Sequence, residues 1–264
     1  MIKRFVCLSL AVLLLLGAVF AAYKMISMAH EYRSGKEVYA DLQQQAEKKS
    51  DNAAITIVTN QAEESESNML DDVNDEIVFP IIDFALLKEK NPDVVGWVYI
   101  EGTNINYPVV QGEDNRHYVS TMFDGSTNKA GSIFMDYQNN PDMSDRHTVL
   151  YGHNMKNKTM FADILNYKDQ AYYDEHPVGV YITPEKNYRF DIVAAHVVSL
   201  ADSAWQLEFV TEDEIESWLR EAMICSGFES RVQFQPGDKL ITLSTCSYEF
   251  DDARFVLVGI LKEL

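Results

Sequence analysis

Short apolar runs, broken every few residues by Gly, Pro, Asn or Asp, dominate the chain from about residue 94 to its end. Strands are expected around Gly96 to Ile100 and in "INYPVVQ", "GSIFMD", "HTVLYGH", "VGVYITP", "YRFDIVAAHVVSL", "KLITLSTC" and "RFVLVGIL". Turn signals such as Gly-Glu-Asp and Pro-Gly-Asp separate them. Many short strands at this spacing predict a closed or nearly closed β-barrel. Helical periods interrupt the pattern. "IDFALLKEKNP" fits a short helix with Asp83 as its N-cap and a stop at Asn91-Pro92. "KTMFADILNY" is read as a second helix. In "TEDEIESWLREAMICSG", Thr211 and Glu214 form a capping box, and Ile215, Trp218, Leu219, Ala222 and Met223 share one face. Gly227 is the expected stop. That stripe reads as core packing.

The N-terminus follows another pattern. An apolar run from Phe5 to Tyr23, broken only by Ser9 and Gly17, comes after Lys3 and Arg4. At 1.5 Å per residue it is about 28 Å long, close to the ~30 Å hydrocarbon thickness of a bilayer. A cleaved signal peptide is the competing reading, because small residues cluster from Ala18 to Ala22. Its apolar core is typically about 7–15 residues, so this longer run is read as a retained anchor. The two cations leave the N-terminus cytoplasmic and the rest outside. "HEYRSGKEVYADLQQQAEKK" then favours helix, whereas Ser50 to Glu76, with "EESES" and "LDDVNDE", reads as a solvated tether. The expected organisation is a cytoplasmic tip at 1–4, an anchor at 5–23, a helical then acidic stalk at 24–77, and a compact domain at 78–264.

Charge and cysteine content narrow the function classes. A formal net charge of −19 argues against nucleic acid as a partner, since neutralising phosphates takes an excess of Lys and Arg. The three cysteines, Cys7, Cys225 and Cys246, form no C-x-x-C pair, so a zinc site, a redox dithiol and a disulfide framework are all disfavoured. No metal and no cofactor is expected. Cys225 ends the last helix, where a small buried thiol is the ordinary explanation. Cys246 is different. It ends one strand, and Arg254 opens the next. If the two strands pair as a hairpin, Cys246 and Arg254 become neighbours. An unperturbed thiol has a pKa near ~8.5, and a fixed guanidinium beside it favours the thiolate. The same guanidinium can donate to an oxyanion.

A cysteine nucleophile needs a proton donor for its leaving group, usually histidine. The candidates are His30, His117, His147, His153, His176 and His196. Only His153 ends an apolar strand at a loop mouth, the kind of position that Cys246 also occupies. Local sequence alone leaves the choice open. It also leaves open that Cys246 is inert packing and Arg254 a surface cation.

"TLSTC" followed by arginine eight positions later, "YGHNM" upstream and "INYPVVQ" near the domain start resemble the sortases. "NPDVVGWVYIEGTNINYPVVQ", "GSIFMDYQNN", "YGHNMKNKTMFADI" and "TLSTCSYEFDDAR" are most similar to class B, and the likeness runs from about Ile82 to Leu261. The resemblance implies a mainly β fold, an eight-stranded sortase barrel with added helices, in an enzyme anchored to a Gram-positive membrane. It implies a cysteine transpeptidase in which Cys246 attacks the threonine carbonyl of a sorting signal, His153 protonates the departing amine and Arg254 steadies the oxyanion. The implied partners are secreted proteins bearing that signal and a peptidoglycan amine. Ser244 and Asn106 match positions near the substrate pocket, and "SLADSAWQLEF" belongs to a segment that contributes to substrate selection. Two rival readings remain. An L,D-transpeptidase would place its cysteine in a "HGC" context, which is missing here. A non-catalytic, membrane-tethered module would lack a member of the catalytic set, and all three residues are present.

Overall fold

The computed structural model describes residues 2–47, 55–58 and 76–264. Helix α1 runs unbroken from Ile2 to Ala46, so the expected anchor and the helical part of the expected stalk are one element. Strands β1 (Ile55–Val58) and β2 (Glu76–Phe79) pair antiparallel, β1 within the segment read as a solvated tether and β2 running from its end into the expected domain. Their β-branched residues suit a pleated ribbon. The rest of that acidic segment lies outside the described residues.

Helix α2 (Phe84–Lys90) begins where expected, with the Asp83 carboxylate accepting from Leu86 N at 3.2 Å. Then come β3 (Val94–Tyr99), β4 (Asn106–Val110), the one-turn helix α3 (His117–Ser120), β5 (Ile133–Met135) and β6 (His147–Tyr151). After α4 (Gln170–Glu175) the chain forms β7 (Val178–Ile182), β8 (Asn187–Val198), α5 (Glu212–Ile224), β9 (Lys239–Cys246) and β10 (Arg254–Glu263). Strands β3 to β10 close a barrel in the order β10-β8-β7-β3-β4-β5-β6-β9. All eight strands expected from the apolar runs are in it.

The barrel interior is filled by side chains such as Trp97, Tyr181, Phe190, Phe255 and Leu257. Helix α5 covers the outer face of β8, β9 and β10, burying Ile215, Leu219 and Ala222 against Val193, Leu240 and Val258. Its N-terminus is capped as expected, with Thr211 Oγ1 accepting from Glu214 N at 3.2 Å. Its C-terminus is not. The helix ends at Cys225 in ordinary right-handed geometry, and Gly227 lies beyond, donating to Ala195 O at 2.9 Å. A Cβ on Gly227 would lie 3.0 Å from the Lys168 backbone, so that glycine serves a close approach and does not stop the helix. Cys225, expected to be buried, is exposed.

The helix expected over "KTMFADILNY" shortens to a 3₁₀ segment, Ala162–Lys168. Lys158 and Met160 take positive φ instead, because Met160 is buried and its amide donates to Tyr107 Oη at 3.0 Å. That contact fixes a turn where propensity alone favours helix.

The C-terminal part of α1 lies on the barrel. Tyr39, Leu42 and Ala46 are buried there. Asp83 N donates to Ala46 O at 2.8 Å, and Gln43 Nε2 reaches Asn106 O at 2.5 Å. Leu13 to Leu16, nearer the N-terminus, are exposed, and this part of the helix is long and apolar enough to cross a membrane.

Candidate active site

Successive side chains of a strand point to opposite faces. On β9, Ile241 and Leu243 enter the barrel core, so Leu240, Thr242, Ser244 and Cys246 form the outward row. Arg254, at the start of β10, pairs directly with Cys246. Residues so opposed carry Cβ atoms about 4.5–5.5 Å apart on one face. Strand β6 runs parallel to β9 with Tyr151 beside Ser244. Gly152 N donates to Ser244 O at 3.0 Å, carrying the pairing past the strand end. Two residues beyond Tyr151, the same register sets His153 beside Cys246. Three separate stretches of chain thus deliver the thiol, the imidazole and the guanidinium to one outward-facing spot.

The His153 Nε2–H donates to Val119 O at 2.7 Å. A carbonyl only accepts, so Nε2 carries a hydrogen and Nδ1 is left to exchange a proton with the thiol. Hydrogen bonding between them is the largest influence on both groups. It pulls the Cys246 thiol below its ordinary value and raises the His153 imidazole, against opposing effects of burial. The Arg254 charge lowers the thiol further, and the Val119 carbonyl raises the imidazole further. Both shifts move the pair toward thiolate and imidazolium.

The backbone here is held by short contacts. Asn154 Nδ2 donates to Cys246 O at 3.1 Å, and Ser247 N donates to Ala253 O at 3.0 Å across the turn. Glu249 in that turn binds both Ser247 Oγ and Lys168 Nζ. Arg254 Nη1 donates to Ala253 O at 2.9 Å.

The three side chains open on a cleft of about 330 Å³. Val119, Leu200 and Trp205 supply its apolar wall, and Ser244 lies within it. Trp205 Nε1 donates to Ser244 Oγ at 3.2 Å, and Leu200 and Trp205 come from the segment read as selecting substrate. The loop carrying Trp205 is tied down by His147. This ring is fully buried, meets Gln206 O at 2.7 Å through Nδ1 and Thr242 Oγ1 at 2.7 Å through Nε2. Burial pushes its pKa down to about 4, so it is neutral.

Asn106 is not brought to this cleft. Its side-chain oxygen accepts from Trp97 Nε1 at 2.6 Å and its nitrogen donates to Glu47 at 2.9 Å, in a separate polar crevice between α1 and the barrel. Asn115 and Tyr151 line the cleft without having been singled out in the sequence. Both bond Asp136, at 2.8 and 2.9 Å. Tyr151 was readable, since alternation on β6 sets His147, Val149 and Tyr151 on the face that ends at His153. Asn115 lies in an irregular loop and had no such signal.

Residues 98–262 match the family model described as the Sortase domain. The chain belongs to the sortase family. The sortase is 35% identical over 175 residues to Sortase B of Listeria monocytogenes, a match spanning 66% of this chain and 71% of that protein. A solved Staphylococcus aureus sortase B–substrate complex superposes with a TM-score of 0.65 at 31% identity, covering 69% of this chain and 85% of that one. Sortase B complexed with triglycine matches with the same score and identity over 69% and 86%. The sortase is therefore of class B, a cysteine transpeptidase on an eight-stranded barrel.

Proposed function

We propose that the sortase is anchored by the apolar half of α1 with its barrel outside the cell, and that it joins secreted proteins to the wall through Cys246. The Cys246 thiolate attacks the carbonyl carbon of a threonine in the sorting signal. A C–S bond forms, and the carbonyl electron pair moves onto oxygen beside the Arg254 guanidinium. When the tetrahedral species collapses, the C–N bond breaks and the His153 imidazolium gives its proton to the departing amine. An amine of a peptidoglycan precursor then attacks the thioester, His153 takes up its proton, and the thiolate is released. Ser244 holds the bound signal against the Trp205 wall. Asn106, by its contacts, serves the docking of α1.

The observation carrying this reading is the meeting of Cys246, His153 and Arg254 at one cleft through strand register, with the thiol lowered and the imidazole raised. The substrate and triglycine complexes of sortase B support a peptide donor and an amine acceptor. A thioacyl route suits such chemistry, because an amine outcompetes water only where a site positions it. To test it, the full chain in detergent is incubated with peptides carrying a Pro-x-Thr signal, with and without triglycine. Mass spectrometry is expected to find an acyl adduct on Cys246 without the acceptor and a transfer product with it, both abolished by Cys246→Ala. Turnover surviving that substitution would sink the assignment.

A further inference from the structure

Two backbone supports hold His153. The ring is held by the Val119 carbonyl of α3. The main chain is held from the other side, where Phe161 N donates to His153 O at 3.0 Å and Met160 bridges Asn154. Tyr39 of α1 reaches both supports. Its hydroxyl donates to Gly131 O at 2.6 Å and lies 3.2 Å from Ser132 Oγ. Gly131, with φ 54°, lies flat against α3, and a Cβ there would fall 2.5 Å from the carbonyl oxygens of both Tyr118 and Val119. Ser132 N donates to Tyr118 O at 3.0 Å, and Ser132 Oγ donates to Thr121 O at 2.9 Å. The two residues that Tyr39 bonds therefore bracket the carbonyl that holds the imidazole. On its other side the Tyr39 ring meets Tyr107 edge-on, with centroids 5.3 Å apart. The Tyr107 hydroxyl accepts from Met160 N at 3.0 Å. Nearer the N-terminus of α1, Asn128 Nδ2 donates to Glu31 O at 3.0 Å and Lys129 pairs with Glu31 at 2.8 Å.

We propose that the docked part of α1 is a positioning element for His153, acting through Tyr39. This rests on the reading of His153 as the proton donor. A four-residue helix has almost no internal hydrogen bonding of its own, so contacts from outside decide where its carbonyls point. Without the Tyr39 hydroxyl, Gly131 O and Ser132 Oγ lose a buried donor, and the Val119 oxygen is free to drift from Nε2. The ring then loses the bond that turns its other nitrogen to the thiol. Because the Val119 carbonyl helps raise the imidazole pKa, losing it shifts that pKa downward.

Tyr39→Phe in the full-length chain tests this, since it keeps the ring against Tyr107 and removes only the hydroxyl. The expected result is a loss of kcat on the order of tenfold with KM for the peptide nearly constant, because misplacement of a catalytic group acts on the chemical step. The limb of the pH profile that reports the imidazole should move toward acid. If Tyr39→Phe unfolds at the assay temperature, Ser132→Ala, a smaller change at the partner, is taken through the same measurements. Thr211→Ala, a cap substitution away from the cleft, serves as a stability control. A kcat loss equal to the control's with an unchanged pH profile would mark a merely structural role and overturn the inference. Wild-type kcat and pH profile in Tyr39→Phe, beside an inactive His153→Ala, overturn this inference alone. An active His153→Ala overturns the catalytic reading and this inference with it.

Discussion

Cys246 is half-buried, yet its thiol titrates below the ordinary value because the hydrogen bond from His153 and the charge of Arg254 outweigh desolvation. The sign of each contribution makes a prediction. Removing the imidazole removes the larger lowering influence, so in His153→Ala the thiol pKa rises and the pH profile of Cys246 alkylation moves to higher pH. Arg254→Lys keeps the positive charge and should leave that profile nearly in place. It loses the planar fork, however, and turnover should fall on the order of 10²-fold, as when an oxyanion donor is removed. Alkylation by a methanethiosulfonate reagent, followed against pH in the three proteins, checks the thiol profiles, and peptide turnover by Arg254→Lys checks the loss of the fork. Cys225 provides an internal reference, because it is exposed. Equal rates at Cys246 and Cys225 near neutral pH would mean that the site is not tuned.

At the scale of elements, the strands were legible because a barrel this size buries every apolar run, and the Cys246–Arg254 neighbourhood followed from a single hairpin. The parallel pairing of β6 with β9 was not legible, because nothing local encodes which distant strand lies alongside. That pairing is what brings His153 to the thiol, so local sequence marked His153 only by its place at a strand end. Asn106 shows the converse failure. It sits in a recognisable motif, but its amide is engaged by Trp97 and by Glu47 at the end of α1, and no local pattern announces that helix's docking. His147, passed over as a strand opener, anchors the loop that carries Trp205. Its folded pKa of about 4 lies below the ordinary histidine value. Between about pH 6.5 and 4 the unfolded chain therefore binds a proton that the native state refuses, and stability falls as pH falls through that window. The loss across that window is about 3 kcal/mol, taking 1.36 kcal/mol per pKa unit. Calorimetry of wild type and His147→Gln from pH 7 to 4 should show the steeper loss of Tm in wild type. Parallel curves would remove His147 from that role.

For the whole molecule, the consequence of an unbroken α1 is that no hinge separates the proposed anchor from the barrel. Tyr23, where the apolar run ends, and Glu31, which already contacts Asn128 and Lys129, are eight positions apart. At 1.5 Å per residue that is about 12 Å, so under the proposed anchoring the barrel would sit close to the bilayer surface. The helix then does two separable jobs, and truncation separates them. A chain beginning at residue 24 keeps Glu31, Tyr39, Leu42, Ala46 and Glu47, and should match the full chain in Tm and in turnover of a soluble peptide. A chain beginning at residue 48 loses them all. It uncovers the barrel surface beneath Tyr39 and Leu42 and removes Ala46 O from Asp83 N and Glu47 from Asn106 Nδ2. Burial of a large side chain contributes roughly 1.5–3 kcal/mol, so Tm should drop on the order of 10 °C. Because the Val119 carbonyl also loses its bracing, turnover should fall further than the lost stability alone dictates, even well below Tm. Calorimetry and single-turnover acylation of the two truncated chains decide the matter. Equal Tm and equal acylation rates would mean that α1 is a tether only, with its contacts to the barrel contributing nothing.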